Sequence, residues 1–569
     1  MTETQDRAYG LYLNGSFRES DKLYCEILDK NPKDSRAWHM RGYIAVQLKE
    51  LERAVEYISR AIELKPNVYS MHINLGSTLA LLGHFDQAEA VQKKAIEINP
   101  RGTEAYFALG NCLRAKGQYY EAEAAYLEAL QIKPDSVESL EMLARNAEDM
   151  RDHDKALDYA LRAIEQNSDH KDCHTMAGNN YIRRRDYDLA LTHYSAALKI
   201  DPKDATANSN LGLLFTRTAE YERSVAAYKR ALSLSQDDPK ARHGLSLALL
   251  ILGRLSEGWK HYSARLELPA HRLGARPMSS PRILGKPHGL RTLAWADEGI
   301  GEQIMFASLI PEITKDCASL SLECDERLTP LMRRTFPNLD LISRRSPPHP
   351  KFHANYDGQF CLSNAAEWYR PNFDSFAHQK GYLSADAKLT RDLRHRYQKS
   401  RPSKPLIGIS WRSKDQIKIS SEKSLALKNW GPLLCIPGAT FVNLQYGNYI
   451  KEISEVETSH SVSIISDNEI DPLYNLDAFA SQVAAMDLII TTSNATAHMA
   501  GALNVPVWTL VPKGFGAMWH WFLDRNDSPW YPSMSLIRQV QQNDWGPVID
   551  QASSMLVDFV AQWRPATTK

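Results

Sequence analysis

Small residues recur every 34 positions through the first half of this 569-residue chain. One series is Ala8, Gly42, Gly76, Gly110, Ala144, Gly178 and Gly212. A second is Ser20, Ala54, Ala88, Ala122, Ala156, Ala190 and Ser224, and a third is Ile27, Ala61, Ala95, Ala129, Ala163, Ala197 and Ala231. Pro32, Pro66, Pro100, Pro134 and Pro202 close the repeats, with Ser168 and Gln236 at the same phase in the other two. A unit this short cannot bury its own apolar face, so its copies must stack into a solenoid. Small side chains at fixed offsets let two antiparallel helices approach closely, and the proline ends the second helix before the next pair begins.

The spacing resembles the tetratricopeptide repeat, whose arrays mostly bind proteins or peptides. Seven units end near Asp238, and an atypical eighth runs through Leu249–Gly253 and Glu257–Trp259 to about Leu268. It is expected to cap an all-α superhelical solenoid over residues 1–271. The first helix of each repeat should line the concave face. Asn74, Asn111, Asn179 and Asn210 lie there beside the repeat glycines, and their amides suit the backbone of an extended peptide as readily as they suit water.

Lys+Arg and Asp+Glu both number 68, so the net charge of zero gives no general attraction to nucleic acid or anionic membrane. Seven scattered cysteines without a CxxC pair argue against a disulfide framework or a zinc site. No signal peptide opens the chain and no apolar run reaches bilayer length, so a cytoplasmic location and no transmembrane segment are expected.

After a Pro/Gly/Arg/Ser-rich linker at 272–290 the pattern changes to short apolar strands alternating with helices. Thr292–Trp295, Leu320–Leu322, Ile407–Trp411, Thr440–Leu444, Asp487–Thr491 and Val507–Val511 read as buried parallel strands. Two doubly wound halves, 291–395 and 404–540, are expected on either side of a basic polar stretch, with a final helix over 541–566.

In such sheets ligands sit beyond the carboxyl ends of the strands. Gly299 and Gly301 let backbone approach a ligand after the first strand, and Glu302 opens the next helix. An acid there can equally serve the helix dipole. The run Thr491-Thr-Ser-Asn-Ala-Thr-Ala-His498 offers Ser493, Asn494, Ala495 and Thr496 to an anion at a helix N-terminus, or an ordinary helix cap. His498 stands one turn inside that helix. Arg412, between Trp411 and Ser413, could neutralise a phosphate or make an ion pair. Asp152-His-Asp154 has the spacing of a metal-binding DxD but falls in a repeat turn. GxGxxG, Walker, HExxH and GxSxG motifs are missing.

Five ordered blocks carry a further resemblance: Glu298–Phe306, Gly408–Ser413, Phe441–Gly447, Ser493–Leu503, and Trp519–Trp521 with Asp527–Pro532. Residues from about 291 to 565 are similar to the glycosyltransferase-like domain that follows tetratricopeptide repeats in many bacterial proteins. That domain is similar to the lipopolysaccharide heptosyltransferases, which have the two-domain α/β GT-B fold. The whole architecture resembles O-linked N-acetylglucosamine transferases and repeat-bearing flagellin glycosyltransferases. Two positions depart from the heptosyltransferase pattern. Glu302 stands for the Asp proposed as base, and Ser493 stands for an Asp that meets the donor sugar, which puts heptose itself in question.

The resemblance implies inverting transfer from a nucleotide sugar, without a metal or other cofactor, to Ser or Thr of a protein held by the repeats, flagellin among the acceptors. Glu302 is then the general base. Arg412 and the amides at Ser493–Thr496 stabilise the departing phosphate, and His498 orients or donates to it. Gln445 and Tyr446 meet the base or ribose, and Lys418 and Lys423 are weaker phosphate ligands. A glycan- or lipid-directed transferase and a repeat scaffold with an inactive domain are the alternatives. The sugar, the nucleotide and the oligomeric state are not encoded in these motifs.

Overall fold

The computed structural model describes residues 3–269, 278, 280–345, 347–376, 380–399, 403–413 and 423–565. Lys418 and the first part of the expected linker lie outside them. Sixteen α-helices, from Glu3–Leu13 to Leu255–Tyr262, form eight pairs. The second helices end at Lys30, Leu64, Ile98, Ile132 and Ile200, each two residues before a repeat proline. Asp152 is a cap, accepting from the Lys155 N–H at the start of its helix, as expected of a turn residue.

The repeat glycines are small because of what faces them sixteen residues later. A Cβ on Gly42 would lie 2.3 Å from Ile58, on Gly110 2.5 Å from Tyr126, and on Gly178 2.6 Å from Tyr194. In the fifth repeat, where the glycine is Ala144, the residue at that offset shrinks to Ala160, and both are fully buried. Packing volume is thus conserved along the array, not residue identity.

The chain forms two compact units, Met1–Ala207 and Asn208–Lys569. The first holds six helix pairs. The second holds the remaining helices together with all the strands, so the boundary between compact units, 207/208, falls inside the repeat array expected over 1–271. Packing explains this. Trp259 meets Trp519 edge to face at 5.2 Å, and its indole N–H donates to the Arg370 carbonyl at 2.8 Å. Leu250, Trp259 and Tyr262 share one buried core with Phe306, Phe376 and Trp530. The last repeats are therefore part of the α/β unit.

Within that unit, β1 (Arg291–Trp295), β2 (Ser319–Asp325), β3 (Asp340–Arg344) and β4 (Gly358–Cys361) form a parallel sheet in the order β3-β2-β1-β4. A second sheet comprises β5 (Leu406–Ser410), β6 (Thr440–Asn443), β7 (Ile464–Ile465), β8 (Leu488–Thr492), β9 (Val507–Val511), β10 (Asp527–Ser528) and β11 (Tyr531–Arg538). Its order is β10-β11-β9-β8-β5-β6-β7, parallel except for the β10–β11 edge pair. β5 and β8 are buried along their whole length, which is why they read as unbroken apolar runs. The basic stretch expected to separate the halves contains a helix, Ala387–Gln398, and the C-terminal helix spans Gly546–Gln562. All seven cysteines are free. Among the described residues, no helix is long and apolar enough to cross a membrane.

Candidate functional site

A cavity of about 430 Å³ lies at the carboxyl ends of β1, β2, β5, β6 and β8. Its lining includes Gly299, Gly301, Glu302, Ser413, Tyr446, Ser493, Asn494, Ala495 and His498, residues singled out from the sequence for their positions after strands. Lys423, Arg327, Met518 and His520 also line it, with Ile300, Pro472, Leu473 and Leu476 supplying further apolar wall.

The two helices that open here, Ile300–Ala307 and Ala495–Ala502, touch through Gly301. A Cβ at that position would lie 2.7 Å from His498 Cδ2. Trp521 stacks on the imidazole at 5.0 Å and 24°, and His520 meets it edge to face at 4.8 Å. Burial, with Lys423 as a second cause, brings the His498 pKa down to about 3, so the ring is neutral. Burial also lowers His520 well below its ordinary value. Among the described residues, neither ring nitrogen of His520 has a hydrogen-bond partner, although the residue is only 1 % exposed.

Burial raises the Glu302 carboxyl above its usual range, against the opposing pull of Lys423. Lys423 is lowered by its own burial and drawn back up by Glu302. A carboxylate of raised basicity thus interacts electrostatically with a cation whose Nζ lies 3.8 Å from the Met518 sulfur. The combination can accept a proton and stabilise an anion within one cavity.

Several residues named from the sequence have other tasks. The Trp411 indole is fully buried and donates to Glu452 at 2.7 Å, and Arg412 pairs with Glu452 at 3.0 Å. Neither lines the cavity, so the ion-pair reading of Arg412 is the one realised. Gln445 is buried too. Its Oε1 accepts from the backbone N–H of both Trp411 and Arg412 at 2.9 Å, tying the loops after β5 and β6 together. Asn494 caps its helix, accepting from the Thr496 N–H at 2.9 Å, and donates to Ser410 Oγ at 2.9 Å. Thr496 is fully buried outside the cavity lining, and its N–H is taken by that cap. Ser493 Oγ accepts from the Trp521 indole at 2.7 Å, giving the serine a structural task.

The asparagines of the repeats serve partly as internal ties. Asn111 accepts from Tyr126 and Asn179 from Tyr194, each at 2.7 Å, bracing the tyrosine that packs on the repeat glycine. Asn74 contacts His39 Nε2 at 2.8 Å. Asn210 lies half-buried in the second unit.

Beneath the Gly299 turn is a cluster that sequence reasoning missed. Arg265, 2 % exposed, donates to Glu298 at 2.8 Å, Asp297 at 3.3 Å, Cys361 Sγ at 3.3 Å, Asn364 at 2.7 Å and Ser363. Burial would raise Asp297, but hydrogen bonding with Glu298 and the Arg265 charge hold it below its usual value. Burial pushes Glu298 up to about 8. The ligand atoms of Asp297, Glu298 and Cys361 lie within 4.8 Å of one another, a metal-like grouping, yet one guanidinium nitrogen is within hydrogen-bond distance of all three and shares its two protons among them. Apart from the Tyr262 carbonyl, the partners of Arg265 named here are 32 to 99 residues away in sequence, so no local signal marks the cluster.

Sequence comparison matches tetratricopeptide repeats at residues 35–68, 69–101, 103–136, 141–205 and 175–240. The chain therefore carries a tetratricopeptide-repeat array, the hallmark of protein-interaction scaffolds. It is 30% identical over 334 residues to Protein FlbA of Caulobacter vibrioides, covering 55% of this chain and 54% of that one. The chain thus spans about half the length of the curated relative it matches. Among solved structures it is similar to YrrB, a TPR protein with an unusual peptide-binding site, at 25% identity and a TM-score of 0.29, over 33% of this chain and 97% of that one. It is also similar to pilF of Pseudomonas aeruginosa, at 18% identity and a TM-score of 0.34, over 37% of this chain and 98% of that one.

Proposed function

We propose that the chain is a protein O-glycosyltransferase: the second unit is a GT-B transferase, and the repeats hold the protein acceptor. The observation that carries this reading is the pairing of Glu302 with Lys423 in a cavity at the carboxyl ends of parallel strands. Glu302 takes the proton of a Ser or Thr hydroxyl as that oxygen bonds to the anomeric carbon of a nucleotide sugar. The bond from that carbon to the phosphate oxygen breaks, and its electron pair leaves with the nucleotide. Lys423 and the N-terminal turn at Ser493–Ala495, which lines the cavity, stabilise that charge. Lys423 here takes the part that the sequence assigned to Arg412, because Lys423 lines the cavity and Arg412 does not. Tyr446, also in the lining, meets the nucleoside in this reading.

The repeats supply the reason for a protein acceptor, since tethering brings a poor nucleophile to an effective concentration of about millimolar. Flagellin is the first candidate, by the architectural resemblance. The test is incubation of the purified chain with a panel of nucleotide sugars and flagellin, read by intact mass. A mass increase of one sugar per site, lost in Glu302→Gln, is expected. Unmodified flagellin across the panel would leave the array as a scaffold.

A further inference from the structure

Two contacts fix how the cavity runs between the sheets. Gly301, in the helix after β1, abuts His498, in the helix after β8. Arg327, in the turn after β2, donates from Nη1 to the carbonyl of Leu473, in the connection after β7, at 2.9 Å. In the second sheet β5 and β6 separate β8 from β7, so the ends of those two strands lie three strand spacings apart, about 14 Å. Glu302 and the Ser493–Ala495 turn belong to the β1–β8 end, and so does Lys423, which interacts with both Glu302 and His498. Arg327, Pro472 and Leu473 belong to the other, and Tyr446 follows β6, the strand next to β7. A nucleotide sugar that reacts at Glu302, with its phosphates on Lys423 and the Ser493–Ala495 turn, therefore extends its base toward Arg327.

Arg327 is a different kind of cation from Lys423. Its Nε and Nη2 donate to the two carboxyl oxygens of Asp325 at 2.8 and 2.9 Å. Burial would raise the Asp325 carboxyl, but hydrogen bonds from Arg327 hold it below its usual value, so the pair carries no net charge at neutral pH. Asp325 is tied in turn to the helix that carries Glu302, since its backbone N–H donates to Gln303 Oε1 at 3.0 Å. The bonds to Asp325 and Leu473 use three of the five guanidinium protons. Among the described residues, Nη1 and Nη2 each keep one proton beyond these bonds, on a side chain that lines the cavity. Such a planar fork offers directed N–H donors without the net charge that draws a phosphate. With Pro472, Leu473 and Leu476 beside it, it matches a neutral carbonyl oxygen on a flat ring.

We propose that Arg327, oriented by Asp325, reads the base of the nucleotide sugar by donating to a ring carbonyl, so that guanine, uracil and cytosine are taken in preference to adenine. Adenine has no carbonyl, and its exocyclic group is an N–H donor. This rests on the glycosyl-transfer reading for the direction in which the nucleotide lies.

The experiment is isothermal calorimetry of the full chain with GDP, UDP, CDP, ADP and inorganic pyrophosphate. Wild type should bind the three carbonyl-bearing nucleotides about tenfold tighter than ADP. Arg327→Gln should bring them down to the ADP level while leaving ADP and pyrophosphate unchanged, whereas Lys423→Ala should weaken every ligand in the set. ADP bound by wild type as tightly as the others would overturn the proposal, and that comparison needs no variant to fold. Weaker pyrophosphate binding in Arg327→Gln would overturn it as well, because Arg327 would then be a phosphate ligand. Arg327→Lys keeps the charge but cannot hold Asp325 and a base carbonyl together, so it should lose most of the preference; full preference there would refute directed donation. A base preference that depends on Arg327 without any sugar transfer would sink only the glycosyltransferase reading. Sugar transfer with base-blind binding would sink only the role of Arg327.

Discussion

Arg265→Ala removes the one cation from a buried cluster that contains two carboxyl groups. In wild type the low Asp297 and the high Glu298 mean that, at neutral pH, one carboxylate and one carboxylic acid surround the guanidinium. Without it, Asp297 is a buried charge facing Cys361 and Ser363. Breaking a buried pair by removing one partner costs about 3–5 kcal/mol, which raises the unfolding constant of the second unit roughly 10²–10⁴-fold. Urea denaturation followed by tryptophan fluorescence measures it, since Trp259 and Trp519 sit in the same core. The deficit should depend on pH. Without Arg265 the folded Asp297 pKa rises above its unfolded value, so its penalty is smallest near pH 4 and grows as pH rises. Glu298 already behaves this way in wild type: its contribution is complete below 4.5 and is lost as pH climbs through about 8. The double variant Arg265→Met/Asp297→Asn, which leaves no unpaired charge, should recover much of the loss. An Arg265→Ala protein within about 0.5 kcal/mol of wild type at pH 7, or a double variant as damaged as the sum of the singles, would refute the reasoning.

A fragment of residues 1–207 should fold with full helical circular dichroism, whereas residues 1–271 should bind hydrophobic dyes or aggregate, because Leu250, Trp259 and Tyr262 lose their core; equally clean behaviour of the longer fragment would contradict the boundary at 207/208. Gly301→Ala should cost about 1–3 kcal/mol by overpacking, since the imaginary Cβ meets a ring clamped by Trp521; an unchanged melting temperature would mean that His498 can move. Lys423→Ala should weaken nucleotide binding by isothermal calorimetry while Arg412→Ala leaves it nearly unchanged, and the reverse order would move the anion site to the loop after β5. Glu302→Gln should retain flagellin in pull-downs yet fail to modify it, and modification at the wild-type rate would exclude the carboxylate as base.

Much of this architecture was legible because burial writes itself into composition. β5 and β8 read as apolar runs, and the 34-residue phase marked seven of the eight helix pairs, the atypical last one being read from its own apolar pattern. β3 was missed because Asp340–Arg344 is half-buried and polar at both ends, and β11 because Pro532 interrupts it with two serines nearby. At the site, Glu302, Ser493 and His498 were visible because position after a strand is a property of the sequence. Whether a polar side chain is free is not. Trp411, Arg412 and Gln445 look the same as a ligand set until Glu452 and the Trp411 and Arg412 amides are seen to occupy them. Lys423 and His520 reach the cavity from loops whose path the local pattern does not specify.

The placement of the last repeats inside the α/β unit also sets a rule for modular exchange. A chimera that swaps the recognition array at the sequence-visible seam near 271 would cut through the aromatic core around Trp259 and discard Arg265, and so would damage the recipient whatever array it received. A junction at 207/208 leaves Tyr221, whose hydroxyl reaches the Gly514 carbonyl, together with Trp259 and Arg265, in the host. Six repeats are then the exchangeable cassette, and the final two travel with the cavity they support.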